Sequence, residues 1–268
     1  MKLNSIVPPE SWLTARKSLL ILEKNLTRAP DELARERRKL PWVKIEKSYP
    51  FTGAEGPVGL AELFAGRSQL IIQHFMLGPG WKEGCVGCSF LADHADAANQ
   101  HLRNHDVTLA AVSRTPWPEI EAWKNRMKWQ FPWFSSSGSS FNYDFHVSFT
   151  PEQRAAGESL TNDEFRDPGI DETGEHSVLY RDGEGDIFHT YSTFGRGDEL
   201  LIGTYNYLDI TPLGRNETGP AHDMTDWVRH HDRYGAGGYA DATGRYHEEP
   251  ETPSGSCCHA HQEAASLP

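Results

Sequence analysis

The chain has 268 residues, with 26 Lys and Arg against 38 Asp and Glu, which gives a formal net charge of −12. This acidic balance argues against broad electrostatic binding to DNA or RNA, because that binding needs clustered basic side chains. No stretch approaches the roughly 20 uninterrupted apolar residues of a membrane helix, and the segment Met1–Leu20 lacks a basic region followed by an apolar block. We therefore expect no membrane segment, no signal peptide and a cytoplasmic location.

Apolar residues recur at three- and four-residue spacing from Pro9 to about Leu40, within an arm of residues 1–40. This period predicts two helices, the second starting after Pro30 with Asp31 as its N-cap. Because two such helices are too short for a separate domain, we expect an amino-terminal helical arm packed on the domain that follows. Weak alternation then predicts a strand over residues 43–49, and residues 60–64 are typical of a short helical turn.

Two apolar runs of strand length, residues 68–76 and 107–112, follow in the chain. Such runs are typical of central strands that are covered on both faces. Helical periodicity over residues 90–102 separates them, and a second amphipathic helix is predicted over residues 117–129. This strand, helix, strand, helix order is a βαβα unit, whose right-handed crossover implies a parallel pair of strands.

The second half of the domain has a less regular pattern. Residues 131–149 are dense in aromatic and Ser residues and predict an irregular insertion packed as a wall over the sheet, and residues 151–175 are polar enough for a surface excursion. An Asp-Gly turn then predicts a hairpin between residues 177–180 and 186–192. Residues 198–208 complete the unit as its last helix.

The apolar period disappears after residue 234, where Gly, Ala, Glu, Pro and Ser dominate. We therefore expect a main domain over residues 41–234 and a flexible tail over residues 235–268. The tail contains two thiols and two imidazoles within five residues, at Cys257, Cys258, His259 and His261. This composition suits Cu(I) or zinc and predicts a metal-delivery arm or a resolving thiol for the site described next, with an unselected flexible tail as the alternative.

The strongest chemical signal is the motif GCVGC at residues 84–88, placed after a buried strand at the start of a helix. At this spacing both sulfurs project from one face of the first helical turn, where unpaired N–H groups and the helix dipole favour a thiolate. Cys85 is then the predicted nucleophile and Cys88 the resolving thiol. The alternatives are half of a zinc site and two buried thiols without chemistry.

The order of strand, Cys-x-x-Cys at a helix start, strand, helix, hairpin and final helix resembles that of thioredoxin. More specifically, the chain is similar to a bacterial thioredoxin-like family catalogued as domain of unknown function 899. The similar segments include GCVGCSFLAD at 84–93, FNYDFHVSF at 141–149, SVLYRDGEGDIFHTYSTFGRG at 177–197 and DWVRHHDRYG at 226–235. The resemblance covers most of residues 10–235 and implies an α/β fold, with a thioredoxin-like central sheet flanked by helices and a family-specific insertion. It implies no reaction.

Two positions depart from the pattern of ordinary thioredoxins. Those proteins place Trp directly before the first Cys and a cis-Pro directly before the hairpin strand, where the proline discourages metal binding. Here Gly84 precedes Cys85, and His176 precedes the predicted strand at Ser177. The missing proline weakens a general disulfide-reductase interpretation and leaves room over the thiols for a metal or a small substrate.

Histidine is frequent, with 13 residues in the chain. We select His146 and His189 because both lie in aromatic stretches that resemble the family. Near the thiols they could tune the nucleophile or transfer protons, and together with Cys85 and Cys88 they form a ligand set for zinc or copper. The alternative for each is an ordinary buried or surface histidine.

Arg114 follows the second predicted strand at its carboxyl end, the edge where α/β sheets bind ligands. Its guanidinium could hold a carboxylate or phosphate of a substrate through two hydrogen bonds, and we count it among the candidate catalytic residues. An ion pair with Glu119 or Asp144 is an equally good interpretation.

The first hypothesis is therefore a thioredoxin-like dithiol oxidoreductase that needs no cofactor and acts on a protein or small-molecule disulfide, a peroxide or a small thiol adduct. The second is a copper- or zinc-binding protein, or a metal-dependent enzyme, that uses the Cys pair and His ligands. The third is a scaffold that binds a partner through its aromatic wall. No nucleic-acid or membrane partner is expected, and a homo-oligomer is left open.

Overall fold

The computed structural model describes residues 4–157, 160–161, 164–165 and 169–248, and its centre is an eight-stranded mixed β-sheet. The strands are β1 Val43–Lys44, β2 Phe51–Gly53, β3 Gly56–Val58, β4 Gln69–His74, β5 Val107–Ser113, β6 Trp133–Ser135, β7 Leu160–Thr161, β8 Glu164–Phe165, β9 Glu175–Arg181, β10 Ile187–Phe194, β11 Tyr239–Ala240 and β12 Tyr246–His247. The helices are α1 Pro9–Arg37, α2 Val86–Ala92, α3 Ala95–Leu102, α4 Trp117–Met127, α5 Phe141–Asp144, α6 Pro151–Ala156 and α7 Gly203–Leu208. Short 3₁₀ helices cover Ala61–Phe64, Arg103–His105, Gly195–Leu201 and Met224–Asp226.

The order of the strands across the large sheet is β1-β10-β9-β4-β5-β6-β2-β3. β4 lies parallel to β5 and β5 parallel to β6, whereas β9 lies antiparallel to β4 and β10 antiparallel to β9. Since α2 and α3 connect β4 to β5, a parallel βαβ unit and the antiparallel β9–β10 hairpin share one sheet. This arrangement is thioredoxin-like, and the predicted α/β fold is confirmed.

Two hydrophobic cores cover the two faces of the sheet. Leu70 and Ile72 of β4 pack in one core with Phe141, the first residue of α5. Phe75, directly after β4, packs in the other core with Trp133 of β6. Trp133 is 2% exposed and Phe141 is fully buried, so these rings of the predicted aromatic insertion fill the cores and do not form an exposed wall for a partner.

The amino-terminal arm differs from the prediction in two ways. α1 is one continuous helix that accommodates Pro30, not two helices separated at Asp31. A proline removes one backbone hydrogen bond, but the residues on both sides of it stay helical here. No residue of α1 is buried and Trp12 is 59% exposed, so the arm does not pack its apolar side chains on the domain. None of the helices in the described ranges is both long and apolar enough to cross a membrane.

The chain has regular structure beyond the expected domain end at residue 234. β11 and β12 form a hairpin where the composition predicts the start of a flexible tail. Ala240 is buried in a third core with Val86 and Phe90, and Arg229 Nε donates a 3.0 Å hydrogen bond to the carbonyl oxygen of Gly238. A few packed residues therefore hold a segment whose average composition is polar. The proposed tail ligands, Cys257, Cys258, His259 and His261, lie outside the described residues.

Candidate functional site

The two cysteines of the GCVGC motif lie at the amino end of α2, on the edge of the sheet where β4 ends. Cys85 is the N-cap residue, and its Sγ accepts a hydrogen bond from the backbone N–H of Cys88 at 3.4 Å. The Cys88 Sγ accepts one from the N–H of Met76 at 3.5 Å. Both cysteines are free thiols, with 5% and 9% of their surfaces exposed. The helix start therefore holds both sulfurs among backbone N–H groups, close to each other.

The pKa values of the two thiols are shifted in opposite directions. The pKa of Cys85 is lowered from its ordinary value, chiefly by the hydrogen bond with the Cys88 side chain and also by the backbone N–H groups of Cys88 and Gly87, although burial opposes this. The pKa of Cys88 is raised well above its ordinary value by its hydrogen bond with the Cys85 side chain and by burial. Cys85 is therefore the more acidic thiol of the pair and Cys88 the less acidic one.

The residue that faces the sulfurs from the hairpin is Gly174, directly before β9. A Cβ at this position would lie 3.1 Å from the Cys88 Sγ. The prediction put His176 before the strand at Ser177, but β9 begins two residues earlier at Glu175, so His176 lies inside the strand. No cis peptide bond occurs among the described residues. A glycine, not a proline, thus borders the thiols and leaves the backbone close to them.

A cavity of about 340 Å³ opens beside the two cysteines. Gln73 and His176 lie directly opposite each other on β4 and β9 and both line it. The Gln73 Nε2 donates a 2.9 Å hydrogen bond to the carbonyl oxygen of Cys88, and the His176 Nδ1 lies 3.2 Å from the Oδ1 of Asp198. The charge of Asp198 also contributes to the raised pKa of Cys88. A buried imidazole–carboxylate pair therefore lies at the wall of the cavity that the thiols share.

The family follows from the sequence of residues 1–234. The sequence model of a bacterial family of unknown function, DUF899, matches residues 1–234. The chain belongs to this family. No curated protein matches it.

Two of the solved structures that are similar to this DUF899 protein illustrate the level of similarity. Peroxidoxin BcpB from Mycobacterium tuberculosis is 11% identical, with a TM-score of 0.39 over 63% of this chain and 97% of that chain. The bacterioferritin comigratory protein of Xanthomonas campestris is 13% identical, with a TM-score of 0.39 over 59% of this chain and 90% of that chain. Similarity at this level carries no conclusion about activity.

The two histidines selected from the sequence lie together, but away from the thiols. His146 and His189 line a separate cavity of about 670 Å³, and neither lines the cavity beside the cysteines. Among the described residues of this DUF899 protein, the His, Cys, Asp and Glu side chains that gather three or more ligand atoms within 4.8 Å of one another are Asp182, Glu184 and Asp186. The structure therefore does not bring the proposed zinc or copper ligands, Cys85, Cys88, His146 and His189, into one group.

A buried hydrogen-bond network lies between the two cavities. The Nε2 of His74 and the Oγ of Ser192 each lie 2.9 Å from the Oγ of Ser177, which also donates a 3.0 Å hydrogen bond to Glu175. The Nε2 of His189 lies 2.9 Å from the Ser192 Oγ. Burial lowers the pKa of His74 to about 3, so its imidazole is neutral at neutral pH. His189 is thus connected to the cysteine cavity through three other side chains and does not contact a thiol.

Arg114 is engaged in a buried ion pair, with a different partner from those expected. Its guanidinium contacts the carboxylate of Glu172, which is 1% exposed, and donates a hydrogen bond to the hydroxyl of Tyr143. Glu119 instead accepts a hydrogen bond from Thr115, and Asp144 pairs with a lysine. Since its donors already have protein partners, Arg114 holds the segment before β9 in place and is not aimed at the cysteine cavity.

This ion pair predicts a dependence of stability on pH. Burial raises the pKa of Glu172 from 4.5 to about 7, even though Arg114 opposes the shift. The folded chain therefore binds a proton that the unfolded chain releases, and the free energy of unfolding should fall by roughly 3 kcal/mol as the pH rises through this interval. Glu172→Gln should lack this part of the decrease, whereas Glu55→Gln, a change at an exposed carboxyl in the β2–β3 turn, should retain it. Urea unfolding at pH 5 and pH 8 checks this, and equal pH slopes in all three proteins would contradict it.

Proposed function

We propose that this protein is a dithiol oxidoreductase in which Cys85 attacks the substrate and Cys88 resolves the intermediate. The observation that carries the proposal is the geometry of the pair: the Cys85 Sγ accepts the N–H of Cys88 at 3.4 Å at the start of α2, and both cysteines line a cavity of about 340 Å³. The opposite directions of the two pKa shifts support it. A thiolate is the reactive form of cysteine, and a neutral thiol beside it is needed for the second step. The thioredoxin-like sheet supports this proposal because it holds the motif at the carboxyl end of β4.

The reaction balances for either bond that a thiolate can open. With a disulfide RSSR, the Cys85 sulfur bonds to one substrate sulfur and the S–S bond breaks, releasing RS⁻. With a hydroperoxide ROOH, the sulfur takes the terminal oxygen, the O–O bond breaks and ROH leaves after protonation, so Cys85 becomes a sulfenic acid. In the second step Cys88 attacks the Cys85 sulfur and releases RSH or water. Both routes oxidise the dithiol to a Cys85–Cys88 disulfide, and an external thiol returns it to the reduced form.

The pair of His176 and Asp198 is the candidate for moving the proton of Cys88. A thiol with a raised pKa must lose its proton before it can attack, so the second step needs a base. Gln73 fixes the backbone of Cys88 through its 2.9 Å hydrogen bond and lies opposite His176 in the sheet. His176→Gln should therefore slow resolution more than the first attack, which is visible as accumulation of the Cys85 intermediate.

The test of the function is direct analysis of the thiols after oxidation. Reduced protein treated with 2-hydroxyethyl disulfide or tert-butyl hydroperoxide should lose two hydrogens, and peptide mapping should link Cys85 to Cys88. Cys88→Ser should stop at a mixed disulfide or a sulfenic acid on Cys85. If both cysteines remain reduced with either oxidant under conditions in which the protein is folded, the proposal is wrong.

A further inference from the structure

The turn of the β11–β12 hairpin lies directly on the nucleophilic sulfur. The carbonyl oxygen of Gly244 accepts a 2.7 Å hydrogen bond from the N–H of Val86, the first residue of α2. A Cβ at Gly244 would lie 2.5 Å from the Cys85 Sγ, and the φ angle of this glycine is +79°. Only glycine allows both this backbone conformation and this approach. The turn therefore forms part of the wall around Cys85, and a second cavity of about 760 Å³ opens between residues 242–244 of the turn and this cysteine.

Contacts at several points hold the hairpin in this position. The guanidinium of Arg245 lies 4.0 Å from the centre of the Trp81 ring. On the other side, Arg233 lies 5.0 Å from the Tyr246 ring and donates a 2.7 Å hydrogen bond to Glu83, directly before the motif. Within the turn, the carboxylate of Asp241 accepts hydrogen bonds from neighbouring residues. The hairpin is therefore fixed to the loop that carries Cys85.

This covering element lies beyond the part of the chain that the family model matches. The match ends at residue 234, and the hairpin runs from Tyr239 to His247. The thiol pair belongs to the matched region, whereas the surface through which a substrate reaches Cys85 is completed by the segment that follows. The hairpin can therefore change which substrates reach Cys85 without changing the residues that react.

We propose that the hairpin determines the substrate class of the dithiol, admitting small disulfides or hydroperoxides and excluding the disulfides of folded proteins. This inference rests on the proposed function. An attacking thiolate must come within about 3–3.5 Å of the atom that it attacks. A protein disulfide brings two chain segments with it, and the turn at Gly244, which approaches the sulfur closely, restricts the directions from which those segments can come. A small molecule needs only one of the two cavities that Cys85 lines, of about 340 Å³ and about 760 Å³, and both volumes fall within the roughly 300–1,000 Å³ of small-ligand sites.

The charges around the smaller cavity further restrict the class of substrate that can enter it. The acidic residues in the lining of the 340 Å³ cavity outnumber its one arginine, although Glu199 is paired with Arg196 and Arg215; they are Glu175, Asp198, Glu199, Glu217 and Asp223, beside the histidines His74, His176 and His222. A cavity lined mainly by one sign of charge lowers the local concentration of ions of that sign. The substrate is accordingly an uncharged or cationic electrophile with an S–S or O–O bond, and an anionic disulfide should react more slowly.

Single-turnover oxidation of the full chain tests the proposal without an added reductant. Reduced protein is mixed with 2-hydroxyethyl disulfide, tert-butyl hydroperoxide, oxidised glutathione or insulin, and the loss of the Cys85 thiol is followed. We expect one of the two uncharged probes to react at least 100-fold faster than insulin and at least 10-fold faster than oxidised glutathione. The faster of the uncharged probes identifies the bond that the site opens.

Variants of the hairpin distinguish an effect on substrate access to Cys85 from an effect on the reactivity of its sulfur. Arg245→Ala removes the contact with Trp81 and should raise the rate with insulin relative to the best small probe at least 10-fold. Gly244→Ala displaces the turn from the sulfur and should shift the same ratio in the same direction. The matched control is Gly185→Ala, which places the same residue at a φ of +96° in the β9–β10 turn, where nothing lies within 4 Å. This control should leave both rates unchanged.

A readout that does not depend on turnover completes the test. The rate of alkylation of Cys85 by N-ethylmaleimide, compared with that by a polymer-linked maleimide, should show the bulky reagent strongly disfavoured in the natural protein and less so in both hairpin variants. If insulin oxidises the natural protein as fast as the small probes, or if neither variant changes the ratio, the inference is wrong while the proposed function stands. If no probe oxidises the pair, the proposed function itself is wrong.

Discussion

Replacing Cys85 by Ser should abolish turnover, with a loss of roughly a thousandfold or more, as expected when the nucleophile of a covalent mechanism is removed. The hydroxyl of serine is not ionised near neutral pH, so the variant lacks the thiolate that the amino end of α2 stabilises. Cys88→Ser should instead retain the first step and lose the second. The measurement is a stopped-flow comparison of the oxidation of the two variants by the best small probe.

The pH profile adds a second criterion to this comparison. Because the pKa of Cys85 is lowered, its rate of alkylation should remain high at pH values at which an ordinary thiol, with a pKa of about 8.5, is mostly protonated. In Cys88→Ser the hydrogen bond from the neighbouring thiol is altered, so the midpoint of the profile should move. A profile of Cys85 that coincides with that of an ordinary thiol would contradict the assignment of the thiolate.

The control for both variants is the double change Cys257→Ser with Cys258→Ser. If only Cys88 resolves the intermediate, this protein should form the Cys85–Cys88 disulfide at the natural rate. The sequence also allows a resolving thiol in the carboxyl-terminal segment, and Cys88→Ser distinguishes the two. A disulfide between Cys85 and either of these cysteines in Cys88→Ser would assign them a part in the second step.

The fold could be predicted because its signals are local. The apolar run of β4, the motif at the start of α2 and the apolar run of β5 each occupy a few consecutive residues, and their order specifies the parallel unit. The arm was predicted less well, because the apolar spacing of α1 shows a helix with an apolar face but not whether this chain covers that face. The hairpin at Tyr239–His247 was missed because a few long-range contacts, not its composition, hold it in place.

The histidine beside the thiols could not be selected because it depends on the register between strands. A shift of one residue in a strand moves a side chain to the opposite face of the sheet. His176 lies opposite Gln73 and lines the cysteine cavity, whereas His189, on β10 beyond a register shift, lines the cavity with His146. Resemblance to the family favoured the histidines in the aromatic stretches and gave no information about the face of the sheet on which each histidine lies. The alternation of side chains along β9 predicts that His176 faces the cysteine cavity only when the first residue of that strand is known.

Gly84→Ala should show how closely the position of the motif depends on the core beneath it. A Cβ at Gly84 would lie 2.5 Å from Cε1 of Phe75 and 2.7 Å from Nε1 of Trp123. These rings are 1% and 4% exposed, so they cannot move into solvent to make room. Overpacking of this kind costs about 1–3 kcal/mol of the free energy of unfolding. Gly183→Ala, in a turn where nothing lies within 4 Å, is the matched control and should cost less than about 0.5 kcal/mol.

Gly84→Ala should also slow the reaction of the Cys85 thiol, because relief of the clash moves the loop that carries Cys85. The N–H of Cys85 donates a 3.0 Å hydrogen bond to the carbonyl oxygen of Met76, and the imidazole of His230 contacts the carbonyl oxygen of Gly84 at 2.9 Å. Displacement of this segment weakens both bonds and shifts the sulfur from the N–H groups that lower its pKa. We expect alkylation of Cys85 to slow at least tenfold at pH 7, with urea unfolding as the parallel measurement. Loss of stability without loss of reactivity would show that α2 holds the thiolate independently of the core, and loss of neither would mean that the loop has room that the structure does not show.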